Sequence, residues 1–235
     1  MIARLYQNIV IKNPKSILII LFFALLSFGY FSKDFRLDAS SETLLIEGDP
    51  DLKYLQEITE RYGSKEFLVL TYTPTDSMVS DTSINNLLSL KYKIQSLDWV
   101  HSVITLLDIP LLNSSDAPLQ ERLENFKTLK DEDIDRERGF NEILSSPVFR
   151  NFVISEDGKT SGIIVNIKKN DLIEDIENKS KQEIELYKDQ IKKQNHKNIL
   201  EIRGVIKSYK NVGKIHLGGI PMIADDMMTF IKSDI

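Results

Sequence analysis

The stretch Ile17–Phe31, reading ILIILFFALLSFGYF, constrains this chain more than any other. It carries no charge, and Ser27 and Gly29 are its only members that are neither aliphatic nor aromatic. Asn13 and Pro14 make a good helix start. Asparagine caps free N–H groups, and proline at the first helical position gives up a donor that has no partner there. A helix from Pro14 to Phe35 would be roughly 30 Å long at ~1.5 Å per residue, which matches a bilayer's hydrocarbon core. The uncharged run itself is shorter than such a span, and Lys15 and Lys33 can close the gap by lifting their ammonium groups to the two interfaces. A buried soluble helix of this length should show a polar stripe, and none is present. The stretch is therefore read as a membrane-spanning helix. A cleaved leader competes with that reading, because basic residues precede the run and Ser27-Phe28-Gly29 resembles a small-x-small cleavage site. Against it, Ile2, Leu5, Tyr6, Ile9 and Val10 fall on one helical face, as an amphipathic helix lying on a membrane requires.

Charge sets the expected orientation. Arg4, Lys12 and Lys15 precede the span with no acidic residue among them, whereas Lys33 and Arg36 are diluted by Asp34, Asp38 and Glu42. The positive-inside rule then puts the N-terminus in the cytoplasm and everything after Arg36 outside. Of the 235 residues, most follow the span, enough for one large or two small domains. Charged residues make up 28% and hydrophobic ones 42%, so the composition is that of one anchor plus a soluble body. A formal net charge of −5 gives no reason to expect nucleic acid as partner. The absence of cysteine removes disulfides, thiolate catalysis and cysteine metal sites, and fits an extracytoplasmic bacterial domain.

Along the body, Glu47-Gly48-Asp49-Pro50 turns into a helix lined by Leu52, Leu55, Ile58 and Tyr62, and Gly63 is placed to end it. Glu66–Tyr72 reads as a strand stopped by Thr73-Pro74. Ser83 can cap a helix whose inward face is Ile84, Leu87, Leu88, Lys91, Ile94 and Leu97, and Trp99–Leu107 is a second strand dense in β-branched residues. The crossover is long enough for these two strands to run parallel. Pro118 opens a helix with Leu119, Leu123, Phe126 and Leu129 inward, and Lys130–Arg138 is a solvated charge run. Asp131, Glu132, Asp133 and Asp135 lack the glycine and spacing of an EF-hand loop. Glu156-Asp157-Gly158-Lys159 is a tight turn between Asn151–Ser155 and Thr160–Ile167, since Asp-Gly supplies left-handed backbone. A long polar helix runs from Asp171 to Gln194, breaks at Asn195–Asn198, and resumes a buried face at Ile199, Leu200, Ile202, Val205, Ile206 and Tyr209. Lys214–Leu217 is a short strand ended by Gly218-Gly219, and Pro221–Ile235 starts another helix. Two strand–helix–strand units in series give an α+β class. The expectation is a ferredoxin-like βαβ-βαβ layer with helices on one face of a mixed sheet, plus helical insertions.

This order of elements resembles exporters of the resistance-nodulation-division superfamily, in particular the MMPL or hydrophobe-exporter branch. The resemblance rests on the basic start with Pro14, on LDASSETLLIEGDPDLKYLQEITERYGSKEFLVLTY, on VHSVITLLDIP, and on HLGGIPMIADDMMTFIKSDI with its Gly-Gly-x-Pro turn. It covers nearly the whole chain, and its force is in order and spacing rather than in a catalytic motif. It implies a cytoplasmic amphipathic segment over 1–13, the first transmembrane helix over 14–35 and an extracytoplasmic porter domain over 36–219. Residues 220–235 are then a helix leading toward a second span. The location it implies is the bacterial inner membrane, with the body periplasmic. The partners it implies are membrane lipids, a hydrophobic substrate and the rest of the exporter's transmembrane half, with a homo-oligomer left open. The proton relay of this superfamily uses acidic residues inside a later span. Ile17–Phe31 has none, so no relay position carries over. The region Lys188–Lys210 is longer and more basic than that family's usual crossover, a departure that counts against carrying over a docking role for that helix.

No catalytic constellation stands out. His101, His196 and His216 are far apart, with no HxxxH or HxH pairing for a metal. Asp225 and Asp226 point about 100° apart on a helix and suit its N-terminal dipole better than an acid–base dyad. No nucleophile elbow, P-loop or dinucleotide glycine pattern occurs, and no cofactor is expected. In porter domains, as the resemblance implies, cargo passes through clefts between α/β layers. The aromatics Phe67, Tyr72, Trp99, Phe149 and Phe152 are the candidates to line such a path, though each side chain suits a core equally well. Two other readings stay open: a single-span anchored binding or scaffolding module, and a secreted ferredoxin-like domain released after Gly29.

Overall fold

The computed structural model describes residues 14–32, 66–114, 125–168 and 180–234, with 50, 51, 53, 54, 57, 58, 118 and 120. The chain divides into two units, Met1–Asp38 and Ala39–Ile235. In the first, α1 spans Pro14–Ser32 with no buried residue, and its mean hydropathy of 1.9 makes it long and apolar enough to cross a membrane. Phe22 packs edge-on to Phe23 and Tyr30 to Phe31, contacts between chain neighbours that point to different sides of the helix. The expected basic flank and amphipathic face before Pro14, and the expected end at Phe35, lie outside the described residues.

The second unit is α+β, built on a four-stranded sheet in the order β2-β3-β1-β4. Strand β1 is Phe67–Pro74, β2 Val100–Ile104, β3 Ser161–Ile167 and β4 Gly213–Gly218. Helix α2 is Asp81–Gln95, α3 Arg136–Ser145, α4 Lys181–Ser208 and α5 Ile220–Asp234. All neighbouring strands are antiparallel, so the expected mixed sheet is corrected. The two crossovers do return their chains in the original direction, but a third strand lies between the ends of each: β3 separates β1 from β2, and β1 separates β3 from β4.

Register explains the core. Leu68 faces Val165, Leu70 faces both Ile163 and Leu217, and Tyr72 faces Ser161 and Ile215. These alternate positions of β1 are fully buried under α2, through Ile84, Leu87, Leu90 and Ile94, and under α4, through Ile199, Ile202 and Val205. Val69, Thr71, Ile164 and Asn166, on the alternate positions of the same two strands, are only half-buried. Burial of Leu68 and Leu70 contributes about 1.5–3 kcal/mol each.

Several boundaries differ from the sequence expectation, each for a local reason. β1 runs on through Thr73-Pro74, because Pro74 sits at the last paired position, where a missing N–H matters least. Ser80, not Ser83, caps α2: its Oγ accepts from the Ser83 amide at 3.2 Å, and Ser83 is buried inside the helix. β2 stops at Ile104 because Thr105 caps a short 3-10 turn over Leu106–Asp108. There the Thr105 hydroxyl takes the Leu107 amide, and Asp108 accepts from the Thr105 amide and hydroxyl. Of the helix expected after Pro118, most lies outside the described residues, but Leu129 is buried in a turn and Phe126 is exposed.

The turn at 155–160 is as expected. The Ser155 amide bonds the Thr160 carbonyl at 2.9 Å, and Gly158 has φ 68°. Its leading side is not a regular strand, since Asn151 is left-handed at φ 64° and only Ile154 bridges Ser161. Ser180 is extended and forms a capping box with Glu183, so α4 begins there; the helix expected from Asp171 up to that point lies outside the described residues. α4 then passes through Asn195–Asn198 unbroken, because these asparagines find partners. Asn198 accepts from Gln194 and Asn195 donates to the Pro221 carbonyl. Leu200, expected inside, is exposed.

Candidate functional site

The five aromatics named from the sequence do not share one surface. Phe67 and Tyr72 are five positions apart on β1 and therefore point to opposite faces of the sheet. Phe67 is half exposed on the face away from the helices. Tyr72 is wholly buried beneath them. Burial pushes its phenol above the usual range; Asn86 and Ser83 lie close enough to favour the ionised form, but neither completes a hydrogen bond with its hydroxyl. Trp99 is 9% exposed and donates its indole N–H to Glu201. Phe149 packs partly on the core, and Phe152 lies exposed in the turn before β3.

A different set of residues does converge. Asn85, Leu88, Ser89, Tyr92, Lys93 and Ser96 recur at helical spacing on α2 and form one stripe on the side opposite its buried face. Tyr209, at the C-cap of α4, closes the stripe into an open groove of about 510 Å³. The Ser89 and Tyr209 hydroxyls are 2.8 Å apart, which fixes the second ring against the first helix. Tyr92 stands 62% exposed with Lys93 beside it. An aromatic face, hydroxyls, an amide and one cation can recognise a ligand. A second depression, of about 360 Å³, is lined by Thr73–Met78, Phe140, Gly158 and Lys159. None of the five aromatics lines either. The signal that could have found the groove is the polar and aromatic stripe on α2.

The loops after β2 are fixed by carboxylates. Asp108 is pushed up by burial, but Lys91 and the Thr105 amide outweigh this and hold it below its ordinary value, with Lys130 at 3.6 Å. Glu142 on α3 accepts from the amides of Leu112, Asn113 and Ser114 and from the Ser114 hydroxyl, at 2.7–2.9 Å. Burial raises it, and those four donors together bring it below its ordinary value. Among the described residues no group of His, Asp and Glu is arranged to hold a metal ion. His101 and His216 are exposed on β2 and β4, while His196 meets Asp225. No family model matches the chain, and no curated protein matches it.

Proposed function

We propose that this chain is the N-terminal part of a proton-motive-force-driven exporter of lipids or other hydrophobic compounds, of the resistance-nodulation-division, MMPL type. In this reading α1 is the first span and the α+β unit a porter domain on the substrate path. The strand order β2-β3-β1-β4, with one helix in each crossover, carries the proposal, because it supports the finer assignment of a ferredoxin-like split βαβ layer in a chain that also carries the apolar helix α1. Phe67 and Phe152, exposed at the sheet and its turn, are the aromatics that suit a substrate path; Tyr72 and Trp99 suit the core. Proton coupling belongs to spans outside Met1–Ile235, because α1 carries no acidic residue. The reading places the body outside the bacterial inner membrane. A second reading, an anchored extracytoplasmic binding module, is favoured by the groove under Tyr92 and Tyr209.

Topology is tested first. A cysteine is placed at exposed Lys207 in this cysteine-free chain and labelled in intact cells with a membrane-impermeant maleimide. Labelling only after lysis would overturn both readings. Transport is tested in cells expressing the complete coding sequence, loaded with a lipophilic dye. Faster dye loss that a protonophore abolishes supports the exporter. Dye loss unchanged by expression leaves the binding module.

A further inference from the structure

An amphipathic helix that docks on a domain normally turns its apolar stripe inward. α5 does the reverse. Ile220, Ile223, Met227 and Phe230 recur at helical spacing and all are exposed, and no residue of α5 is buried. What faces α4 is polar. The Pro221 carbonyl accepts from Asn195 Nδ2 at 2.9 Å, and Asp225 meets His196 Nδ1 at 2.9 and 3.1 Å. Asp226 takes Arg203 Nη2 on both oxygens, at 2.9 and 2.8 Å. Met222 adds the apolar contact with the core. The joint to β4 is Gly218-Gly219, and Gly219 has φ 117°, a region closed to residues with a side chain. A Cβ there would also stand 3.1 Å from the Phe67 carbonyl oxygen.

We propose that α5 is a lever, hinged at Gly218-Gly219 and held on α4 by the Asn195, His196 and Arg203 clasp. A few terminal residues that absorb a change in φ and ψ are what hinges are made of. The Arg203–Asp226 pair is partly exposed, and such pairs are weak and screened by salt, so the clasp fixes where α5 lies without fixing it permanently. This goes beyond the exporter reading and stands whether or not the chain transports anything.

The absence of cysteine allows spin labels at Lys210→Cys, after α4, and Ser233→Cys, at the far end of α5, in the full chain in nanodiscs. Pulsed electron resonance should give one narrow distance at low ionic strength. Breaking the His196–Asp225 and Arg203–Asp226 contacts with His196→Ala and Asp226→Arg should broaden it, and the ratio of docked to undocked α5 should fall by about 2- to 25-fold. Adding Arg203→Asp to Asp226→Arg restores opposite charges and should restore the narrow distance. The same broadening should appear in the labelled chain with the clasp intact at ~1 M salt, where screening reaches within ~3 Å. This last measurement needs no destabilising change. A distance that stays narrow both at high salt and in the clasp variant would overturn the proposal. So would a charge reversal that broadens the distance no less than the single change.

Discussion

The indole N–H of Trp99 donates to Glu201 Oε2 at 3.0 Å, joining the residue before β2 to the C-terminal half of α4. This bond ties the two strand–helix–strand units together, since Trp99 ends the first crossover and α4 is the second. Glu201 is partly exposed, so water replaces much of what its loss removes. Glu201→Ala should therefore cost about 1 kcal/mol, and Glu201→Gln, which keeps an acceptor, less than half of that. Trp99 is the only tryptophan, so its fluorescence reads urea unfolding of the full chain in detergent directly. Equal midpoints for wild type and Glu201→Ala would show that the bond contributes nothing.

Two glycines should respond in opposite directions. A Cβ at Gly213 would lie 2.5 Å from the Thr73 carbonyl oxygen, which is held in the β1–β4 ladder and cannot retreat. Gly213→Ala should cost about 1–3 kcal/mol or more. Gly204 lies inside α4 with nothing within 4 Å of its Cβ position, so Gly204→Ala should stabilise by about 0.5–1 kcal/mol through helix propensity. Thermal melts of the two variants side by side decide it. Stabilisation by Gly213→Ala would mean that β4 does not pair with β1 in this register.

Much of the fold was legible because burial imposes period. β1, β3, α2 and the C-terminal half of α4 are read from apolar alternation or helical recurrence, and the Asp157-Gly158 turn from backbone chemistry. Strand order was not legible: no local pattern says that β3 inserts between β1 and β2, since pairing is a long-range choice. Capping was half legible, because Ser80 and Ser83 are equally good caps on paper. Only the buried position of Ser83 decides between them. The asparagines of α4 misled for the same kind of reason. Their breaking tendency is local, and it is offset by partners of which one, the Pro221 carbonyl that takes Asn195, is distant in sequence. Aromatic content was a poor guide to a site, because Tyr72 and Trp99 serve the core. The groove was hidden because its members, Ser89 and Tyr92 with Tyr209, come from two helices.

Deleting core volume should separate the two faces of β1. Leu70 is wholly buried between Ile163 and Leu217, and Leu70→Ala should cost about 2–5 kcal/mol. Thr71, one position along, faces Gly162 and His216 on the other side, and Thr71→Ala should stay within about 1 kcal/mol. Comparable losses for both would indicate a sheet covered equally on both faces.

Acid should loosen the loops after β2 before it loosens the sheet. Glu142 and Asp108 both have their carboxyl groups held below the ordinary values of 4.5 and 3.8. For a carboxyl depressed by folding, the unfolded chain binds the proton more readily, so the stabilisation is complete above the ordinary value. It is lost as pH falls through the lower, folded one. Glu142→Gln removes the titrating group and keeps one acceptor for the amides of Leu112, Asn113 and Ser114. It should lower stability at pH 7 by about 1–2 kcal/mol and flatten the decline below pH ~4.5, with Asp108, Asp133 and Asp157 left to contribute to the remaining slope. Hydrogen exchange at the Asn113 and Ser114 amides should accelerate in the variant at neutral pH, and in wild type only on acidification. Identical acid slopes for wild type and Glu142→Gln would mean that the carboxylate is not what holds this loop.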